Sequence, residues 1–276
     1  MPTIEPEGFR PSAPEPHRQR QVAESFGADA ERYDRARPRY PDALVDRIVG
    51  GSPGPDVLDV GSGTGIAARQ FRAAGCRVLG VEPDARMAEV ARGTGIDVVE
   101  STFEAWDPVG RRFDTVVAAQ AWHWVDPFAG AAKAAQALRP GGRLAVFWNA
   151  FEFPPEAADA FTEVFARVLP DAPMDLRWIT RKSMEAYALM CAKAAEGIRA
   201  AGAFGGPAEW RHDWEWTYTR ETWLDQLPTL GPFTQLPAEQ LGELLEGMGA
   251  AVDALGGGFA MRYASVTVTA VTSPGA

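Results

Sequence analysis

The chain has 276 residues, 46% of them hydrophobic and 23% charged, and a formal net charge of −10 at pH 7. This size and composition are typical of one large soluble domain, or of one domain with a substantial insertion. The negative charge repels nucleic acid and anionic lipid at long range, and no apolar run in the sequence is long enough to span a membrane. We therefore expect neither nucleic acid nor a membrane among the partners.

The first 16 residues are rich in proline and lack the apolar core of a signal peptide. We interpret residues 1–16 as a flexible leader on a cytoplasmic protein. The two cysteines, Cys76 and Cys191, lie far apart, and neither belongs to a CxxC motif. We expect both to be small buried apolar residues rather than a disulfide or a zinc site, and we expect no metal ion.

From about residue 42 to residue 149, short apolar runs alternate with helical stretches. Such alternation predicts a mostly parallel sheet with helices on both faces, and ligands of these sheets bind at the carboxyl ends of the strands. The predicted strands are 56–60, 76–82, 96–100, 113–120 and 143–149. The predicted helices are 65–75, 84–93 and a stretch from Pro127 to Pro140.

After Asn149 the pattern changes to a mostly helical stretch, followed by two further strands at 209–219 and 261–271 with helices at 222–227 and 238–255 between them. We therefore divide the chain into a core with an N-terminal cap, a helical insertion, and C-terminal strands and helices that complete the sheet. The boundaries are 17–150, 151–208 and 209–276. The insertion either roofs an apolar acceptor pocket or forms a helical cap with an ordinary core.

The first predicted strand runs directly into a turn with three glycines, in the stretch VLDVGSGTG. Glycine at Gly61, Gly63 and Gly65 indicates that something approaches the backbone closely. The G-x-G-x-G spacing differs from the G-x-G-x-x-G of dinucleotide sites, which disfavours a nicotinamide-dependent oxidoreductase. Asp59 suits a ligand with an ammonium group, and Glu82, after the second strand, suits two ribose hydroxyls. The pattern favours a nucleoside with a cationic amino-acid tail.

These residues resemble the class I S-adenosylmethionine-dependent methyltransferases. The resemblance is carried by VLDVGSGTG with VLGVEPDARM, and by FDTVVAAQAWHWVDP with ALRPGGRLAVFWN. It extends from about Ala36 to Asn149, more weakly to the final strand, and looks closest to the small-molecule branch that includes trans-aconitate methyltransferase-like proteins. It implies a Rossmann-like, seven-stranded, mostly parallel sheet with a helical insertion, S-adenosylmethionine as cofactor, and a small-molecule acceptor bound by a monomer or homodimer.

The resemblance also assigns residues to the cofactor. Those around the turn and its neighbouring strand are Asp59, Gly61, Ser62, Gly63, Gly65, Glu82 and Pro83. Thr102, Phe103 and Glu104 occupy the loop that flanks adenine, where the bulky Phe103 departs from the family and either covers the ring or faces away. Gln120 follows the fourth strand, near the methionine moiety. The upstream stretch ERYDRARPRYP makes Tyr33, Arg37 and Arg39 candidates for the carboxylate of the cofactor.

Methyl transfer from a sulfonium needs alignment and exclusion of water more than it needs a base. His123 lies beside the expected transfer site and is a candidate general base for a hydroxyl or amine acceptor, or else a packed, hydrogen-bonded residue. The candidate walls of the acceptor pocket are Trp122, Trp124, Trp148, Trp178 and Tyr187. We expect O-methylation of a carboxylate or hydroxyl, and the alternative is a non-catalytic cofactor-binding sensor.

Overall fold

The computed structural model describes residue 17, residues 24–170, residue 172, residues 179–180 and residues 182–273. The seven strands of this part of the chain are β1 (Asp56–Val60), β2 (Arg77–Glu82), β3 (Asp97–Glu100), β4 (Phe113–Ala119), β5 (Leu138–Glu152), β6 (Ala208–Thr219) and β7 (Gly258–Val271). Its longer helices are α1 (Ala30–Ala36), α2 (Asp42–Gly50), α3 (Ile66–Ala73), α4 (Ala85–Gly93), α5 (Pro127–Ala137), α6 (Pro155–Val168), α7 (Ser183–Ala200), α8 (Arg220–Gln226) and α9 (Ala238–Ala254). The predicted leader lies outside the described residues.

The strands form one sheet in the order β3-β2-β1-β4-β5-β7-β6. Strands β1 to β5 pair in parallel, whereas β7 runs antiparallel to both β5 and β6. Helices cover both faces because the central parallel strands β1 and β4 are buried along almost their whole length. The predicted seven-stranded, mostly parallel α/β sheet is confirmed.

The register of the strands brings the predicted site residues to one edge of the sheet. Val60 is opposite Val81, one residue before Glu82, and Ala119 is opposite Phe147. The glycine turn after β1, Glu82 at the end of β2 and Gln120 after β4 therefore lie along the same carboxyl edge. This is the edge at which open α/β sheets bind their ligands.

The apolar core is divided by the sheet and by a cap at its carboxyl edge. One face packs against α5 and α7, and the other packs against α2 and α3. A third cluster joins α6, α8 and α9 to the outer ends of β6 and β7, with Trp223 and Phe161 stacked at 5.6 Å between ring centroids.

The stretch 151–208, expected to be one helical insertion, contributes to two different layers. Helix α6 belongs to the cap, whereas α7 lies flat against α5 through the small residues Cys191, Ala194 and Ala195. Small side chains let two helices approach closely, so α7 becomes part of the layer that covers the sheet. No helix in the described ranges combines the length and the apolarity that a bilayer crossing requires.

Candidate functional site

The glycine turn has a backbone that only glycine adopts without strain. The φ angles of Gly61, Gly63 and Gly65 are +64°, +54° and +84°, in the left-handed region that disfavours side chains. The turn is held by a hydrogen bond from the Gly61 N–H to the Val81 carbonyl at 2.8 Å and by one from the Gly65 N–H to the Ser62 carbonyl at 2.9 Å. The sequence VGSGTG therefore folds into a fixed loop against the end of β2.

The three glycines differ in what surrounds them. A Cβ atom on Gly61 would lie 2.6 Å from the Cβ of Ala121, and one on Gly65 would lie 3.3 Å from that of Ala91, so both positions are closed by protein. A Cβ atom on Gly63 would meet only the methyl group of Met87, at 3.9 Å. The space over Gly63 is therefore open, and a ligand can lie against the backbone there.

Glu82 borders this open space and is already tied to the backbone. Its carboxylate accepts a hydrogen bond from the N–H of Gly63 at 2.8 Å and one from the N–H of Asp84 at 2.9 Å. The side chain is buried, and the burial raises the pKa of Glu82 to about 7, while the two backbone bonds oppose the rise. An acid in this position can still accept hydrogen bonds from a ligand through its remaining lone pairs.

Asp59 is the second buried acid beneath the turn. Neither of its carboxylate oxygens makes a hydrogen bond with the described residues, and the residue is fully buried. Burial, followed by repulsion from Glu82, raises the pKa of Asp59 to about 8; the backbone N–H of Ala68 lies close enough to oppose this rise but not in hydrogen-bonding geometry. Buried polar groups are rarely left unsatisfied, so this site suits a ligand that brings donors or positive charge.

The hydroxyl groups of Ser62 and Thr64 also lack partners within the described ranges, and both side chains are buried. The residues at the turn thus combine an open glycine, two acids and two free hydroxyls. An adenosine linked to a cationic amino acid matches these groups in polarity, because it offers hydroxyls and an ammonium group to oxygens that lack donors. The residues present fit S-adenosylmethionine.

Gln120 has a strained backbone at the same edge. Its φ angle is +55°, an unusual value for a residue other than glycine. Its side-chain amide N–H donates to the carbonyl of Asn149 at 3.4 Å, and Gln120 lies beside Tyr187 in the wall of one cavity. Backbone strain of this kind concentrates at functional sites, and it directs the Gln120 side chain into the cleft.

The N-terminal segment lies over the cleft. Arg35 makes two hydrogen bonds of 2.8 Å to the carboxylate of Asp225 in α8, and the guanidinium of Arg86 donates to the carbonyl of Glu24 at 2.7 Å. Arg37 lies over the ring of Tyr33 at 4.8 Å and donates to the carbonyl of Thr229. The segment therefore bridges the α4 side of the sheet and the cap.

Two of the three candidates in this segment face the cleft. Tyr33 and Arg37 line a cavity of about 40 Å³, and the Nε–H of Arg37 has no partner in the part of the chain that the structure describes. Arg39, by contrast, is exposed and lines neither of the cavities found. The expectation that Arg39 faces a ligand carboxylate is not supported by its position.

We call this space the inner cavity. Its other walls come from the carboxyl edge of the sheet and from the cap, and its full lining is Tyr33, Arg37, Pro38, Tyr40, Ile66, Gln120, Asn149, Phe151, Tyr187, Gln226, Leu230 and Tyr263. Sequence analysis missed its wall from the C-terminal half. Gln226 is buried with its side-chain oxygen unpartnered among the described residues, beside the hydrogen-bonded hydroxyls of Tyr218 and Tyr263, 2.7 Å apart. No motif marks these residues, because only the pairing of β6 with β7 brings them together.

The loop after β3 is more closed than expected. Phe103 is buried in the core, 6.3 Å from the rings of both Trp106 and Trp122, which settles its orientation away from the surface. Glu104 is exposed, and its carboxylate accepts from the backbone N–H of Asp126 at 3.2 Å. Thr102 accepts from the N–H of Ala105 at 3.2 Å and so shapes the loop. The neighbouring Pro83, beyond β2, is exposed.

The expected tryptophan walls are mostly core. Trp122 and Trp148 are buried among apolar side chains and line neither of the two cavities found, so the structure does not bring them to a cavity wall. Trp124 packs edge-on against Phe26 at 6.1 Å and lines neither cavity. Trp178 lies outside the described residues. Of the four candidates that the structure describes, Tyr187 lines both cavities.

His123 is held as a neutral acceptor. The indole N–H of Trp148 donates to its Nδ1 at 3.1 Å, and burial lowers the pKa of His123 to about 4. A neutral imidazole that accepts at Nδ1 carries its proton on Nε2, so its one basic lone pair is already used. The structure therefore disfavours the general-base role and supports the packed, hydrogen-bonded alternative.

Comparison with known proteins agrees with this geometry. A family model described as a methyltransferase domain matches residues 33–255. An uncharacterized methyltransferase of Mycobacterium tuberculosis is 37% identical over 132 residues, which cover 47% of this chain and 54% of that protein. The chain thus spans about half the length of this relative.

Two further likenesses concern a curated enzyme and a solved structure. A malonyl-[acyl-carrier protein] O-methyltransferase of Enterobacter lignolyticus is 31% identical over 170 residues, covering 59% of this chain and 65% of that protein. The structure of a putative type II methyltransferase from Anaeromyxobacter dehalogenans superimposes with a TM-score of 0.59 at 22% identity, covering 86% of this chain and 99% of the other. The structural likeness concerns the fold.

Proposed function

The chain belongs to the class I S-adenosylmethionine-dependent methyltransferases, and we propose that it transfers a methyl group from this cofactor to an oxygen of a small molecule. One observation carries the proposal: an open position over Gly63, bordered by Glu82 and by the unpartnered carboxylate of Asp59. If the turn had no open space and both acids had hydrogen-bond partners, its only role would be to pack α3 against the sheet. Here the turn leaves room and unmet hydrogen-bonding groups for a ligand.

The residues of the turn divide the proposed binding task between them. Glu82 accepts hydrogen bonds from the ribose hydroxyls. Asp59 ionises beneath the amino group, because a bound ammonium lowers the raised pKa of this acid. Arg37, whose Nε–H is free to donate, holds the carboxylate together with Tyr33. When bound, S-adenosylmethionine supplies a methyl group on a sulfonium, which is a good leaving group. The task of this chain is therefore to orient the acceptor and exclude water.

The N-terminal segment and the cap supply that exclusion. Residues 24–37 reach across the cleft from α4 to α8 through Arg86 and Arg35, and they leave an inner cavity of about 40 Å³. Gln120, Tyr187 and Gln226 line this cavity and present polar groups to an acceptor. A carboxylate acceptor needs no base, and a hydroxyl acceptor would deliver its proton to a group other than His123, whose lone pair is occupied.

The finer features of this proposal concern substrates and partners. We propose a small acceptor methylated on a carboxylate or hydroxyl, as in the trans-aconitate methyltransferase-like branch, and a cytoplasmic monomer or homodimer that does not bind nucleic acid. The net charge of −10 supports the last point, since it repels phosphate backbones at long range.

Calorimetric titration tests the proposal directly. S-adenosylmethionine and S-adenosylhomocysteine should bind, NAD and NADP should not, and Gly63→Ala should abolish binding because its new methyl group occupies the open position. Gly75→Ala is the control, since Gly75 also has a positive φ and open surroundings but lies at the far end of α3. Equal binding by the Gly63→Ala and Gly75→Ala variants would overturn the proposal.

Turnover separates an enzyme from a sensor. Incubation with methyl-labelled cofactor and a small-molecule extract should transfer label to an acceptor. Tight cofactor binding without any transfer across fractionated extracts would favour the non-catalytic alternative.

A further inference from the structure

A second, larger cavity adjoins the candidate site. It has a volume of about 280 Å³ and lies between α7 and the strands β6 and β7. Its walls include Met184, Ala188, Cys191 and Val266, and Tyr187 lines it as well as the inner cavity. We call it the outer cavity. The two spaces thus share one side chain as a wall.

The inner cavity is too small for a whole metabolite. About 40 Å³ is room for about three water molecules, which is enough for a reacting group and little more. The outer cavity is seven times larger, and its inner walls are apolar except for the buried Thr267, whose hydroxyl has no partner among the described residues. Its two charged residues, Glu209 and Arg211, are exposed on the edge strand β6 and therefore mark its mouth.

Tyr187 has a different environment at each end. Its hydroxyl lies near Gln120 and Arg37, both of which line the inner cavity. Burial raises the pKa of Tyr187 to about 12, so the hydroxyl is neutral and donates or accepts without charge. The rest of the side chain borders the apolar space along α7, which makes Tyr187 the partition between a polar and an apolar compartment.

We propose that the outer cavity is a subsite for the apolar body of the methyl acceptor, and that the Tyr187 side chain turns aside to let the reacting group enter the inner cavity. The acceptor is then an elongated amphipathic molecule with a small oxygen-bearing head and an aliphatic or aryl body. This inference rests on the proposed function for the identity of the head, but the subsite itself is a binding site that can be tested without methyl transfer.

Straight-chain primary alcohols of four to nine carbons test the subsite. The hydroxyl can donate to the unpartnered oxygen of Gln226, and the chain can lie along Met184 and Val266. Binding is followed by NMR of the protein labelled at its methionine methyl groups, with the Met184 resonance assigned by the Met184→Leu variant. Each added methylene should lower Kd about fourfold, until the chain reaches the mouth at Glu209 and Arg211, where the gain should stop.

A matched pair of variants locates the effect. Ala188 lines the outer cavity at its exposed rim, so the indole of Ala188→Trp should block the cavity and remove the dependence of Kd on chain length. Leu189→Trp adds the same ring one residue later, at a side chain that is 63% exposed and lines neither cavity, and should leave the dependence intact. The melting temperatures of both variants show whether they are folded. The alcohol series measured with the wild-type protein tests the subsite even if a variant does not fold.

The outcomes separate this inference from the proposed function. A Kd that does not change with chain length, or a Met184 resonance that does not shift, overturns the subsite even if S-adenosylhomocysteine binds. A normal alcohol series in a protein that binds no S-adenosylhomocysteine leaves the subsite standing and overturns the proposed function. The subsite is also overturned if Leu189→Trp removes the dependence of Kd on chain length as fully as Ala188→Trp does. It is likewise overturned if a second copy of the chain covers the cavity, which would appear as a lower sedimentation coefficient of the Ala188→Trp variant.

Discussion

The carboxylate of Glu82 accepts a hydrogen bond from the backbone N–H of Gly63 at 2.8 Å, across 19 residues of sequence. The end of β2 is thereby fastened to the glycine turn after β1. The residue proposed to hold the ribose is thus also part of the scaffold that shapes the turn, and its replacement affects folding as well as binding.

Glu82→Ala should lower the free energy of unfolding of the ligand-free protein by about 2 kcal/mol, because it leaves the N–H groups of Gly63 and Asp84 without an acceptor. Glu82→Gln retains one acceptor oxygen and should therefore lower the free energy of unfolding by less. Denaturant unfolding measures both. The control is Glu100→Ala, since Glu100 is the exposed residue paired with Glu82 on β3. Equal losses of unfolding free energy at the two positions would contradict a stabilising role for the hydrogen bonds to Glu82.

The two buried acids should make the ligand-free protein less stable as pH rises. Their folded pKa values, about 8 for Asp59 and about 7 for Glu82, lie above the ordinary values of 3.8 and 4.5. The folded state therefore holds protons that the unfolded state releases, so this contribution is complete below about pH 4 and is lost as pH rises through 7 and 8. Each acid accounts for at most about 1.4 kcal/mol per pH unit.

Asp59→Asn removes one of these titrations while preserving the shape of the side chain. Thermal melting between pH 5 and pH 8.5 should show a smaller loss of Tm in this variant than in the wild type. Asp97→Asn, at an exposed position on β3, should behave as the wild type does. A wild-type Tm that rises across this interval would contradict the buried, protonated acids.

Gln120 should prefer glycine over alanine, the reverse of the usual order in regular structure. At its φ of +55°, glycine avoids a steric cost of about 1–2 kcal/mol that alanine retains. Both variants lose the side-chain hydrogen bond to the Asn149 carbonyl, so the difference between their unfolding free energies isolates the backbone strain.

Val109→Gly provides the reference for the strain at Gln120. Val109 also has a positive φ, of +49°, but is 74% exposed in a loop away from the cleft. This variant should gain stability without any change in methyl transfer, whereas both variants at Gln120 should lose transfer. Equal stability of Gln120→Gly and Gln120→Ala would rule out strain at this position.

His123→Ala should affect stability more than the chemical step. Its removal leaves the buried indole N–H of Trp148 without a partner, which costs about 1–3 kcal/mol. The kcat should fall less than tenfold, and the pH profile of the rate should show no group with a pKa near 6.5. A double-mutant cycle with Trp148→Phe measures the coupling; a hundredfold loss of kcat in a stable variant would restore the general-base hypothesis.

Asp225→Ala should loosen the N-terminal segment over the cleft. Asp225 receives both hydrogen bonds of Arg35 and lies 3.4 Å from the guanidinium of Arg32. Because these contacts are at the surface, the denaturation midpoint should hardly change, but amide hydrogens of α1 should exchange several times faster and cofactor affinity should fall. Amides of α5 are the internal control. Unchanged exchange in α1 would show that the segment is held by other contacts.

The sequence predicted the strands and the cofactor turn well because both depend on local pattern. Alternating apolar runs placed β1 to β4 within a residue or two, and the spacing of Gly61 and Glu82 indicated where a ligand approaches the backbone. Such signals lie in short stretches of chain, where periodicity and glycine have a direct steric meaning.

The failures concern packing between distant segments. A tryptophan after a strand can face a pocket or the core, and nothing local to Trp122 or Trp148 distinguishes the two. The walls contributed by Gln226 and Tyr263 depend on the pairing of β6 with β7, and the left-handed Gln120 carries no sequence signal, since glutamine is not a residue that favours that conformation. The occupied lone pair of His123 likewise requires knowledge of its neighbour.

The position of β7 between β5 and β6 has a consequence for the order in which the protein can fold during synthesis. Strand β5 pairs with β7 across more than 100 residues of sequence, from Arg143↔Val271 to Glu152↔Arg262, and β6 pairs with nothing but β7 in the sheet. While the ribosome makes residues 153–257, the growing chain therefore holds an apolar sheet edge at β5, and from residue 219 onward it also holds an unpaired β6. Closure of long-range pairings is slow, so a chaperone that shields the β5 edge should associate with nascent chains that end before residue 258 and dissociate once β7 has emerged.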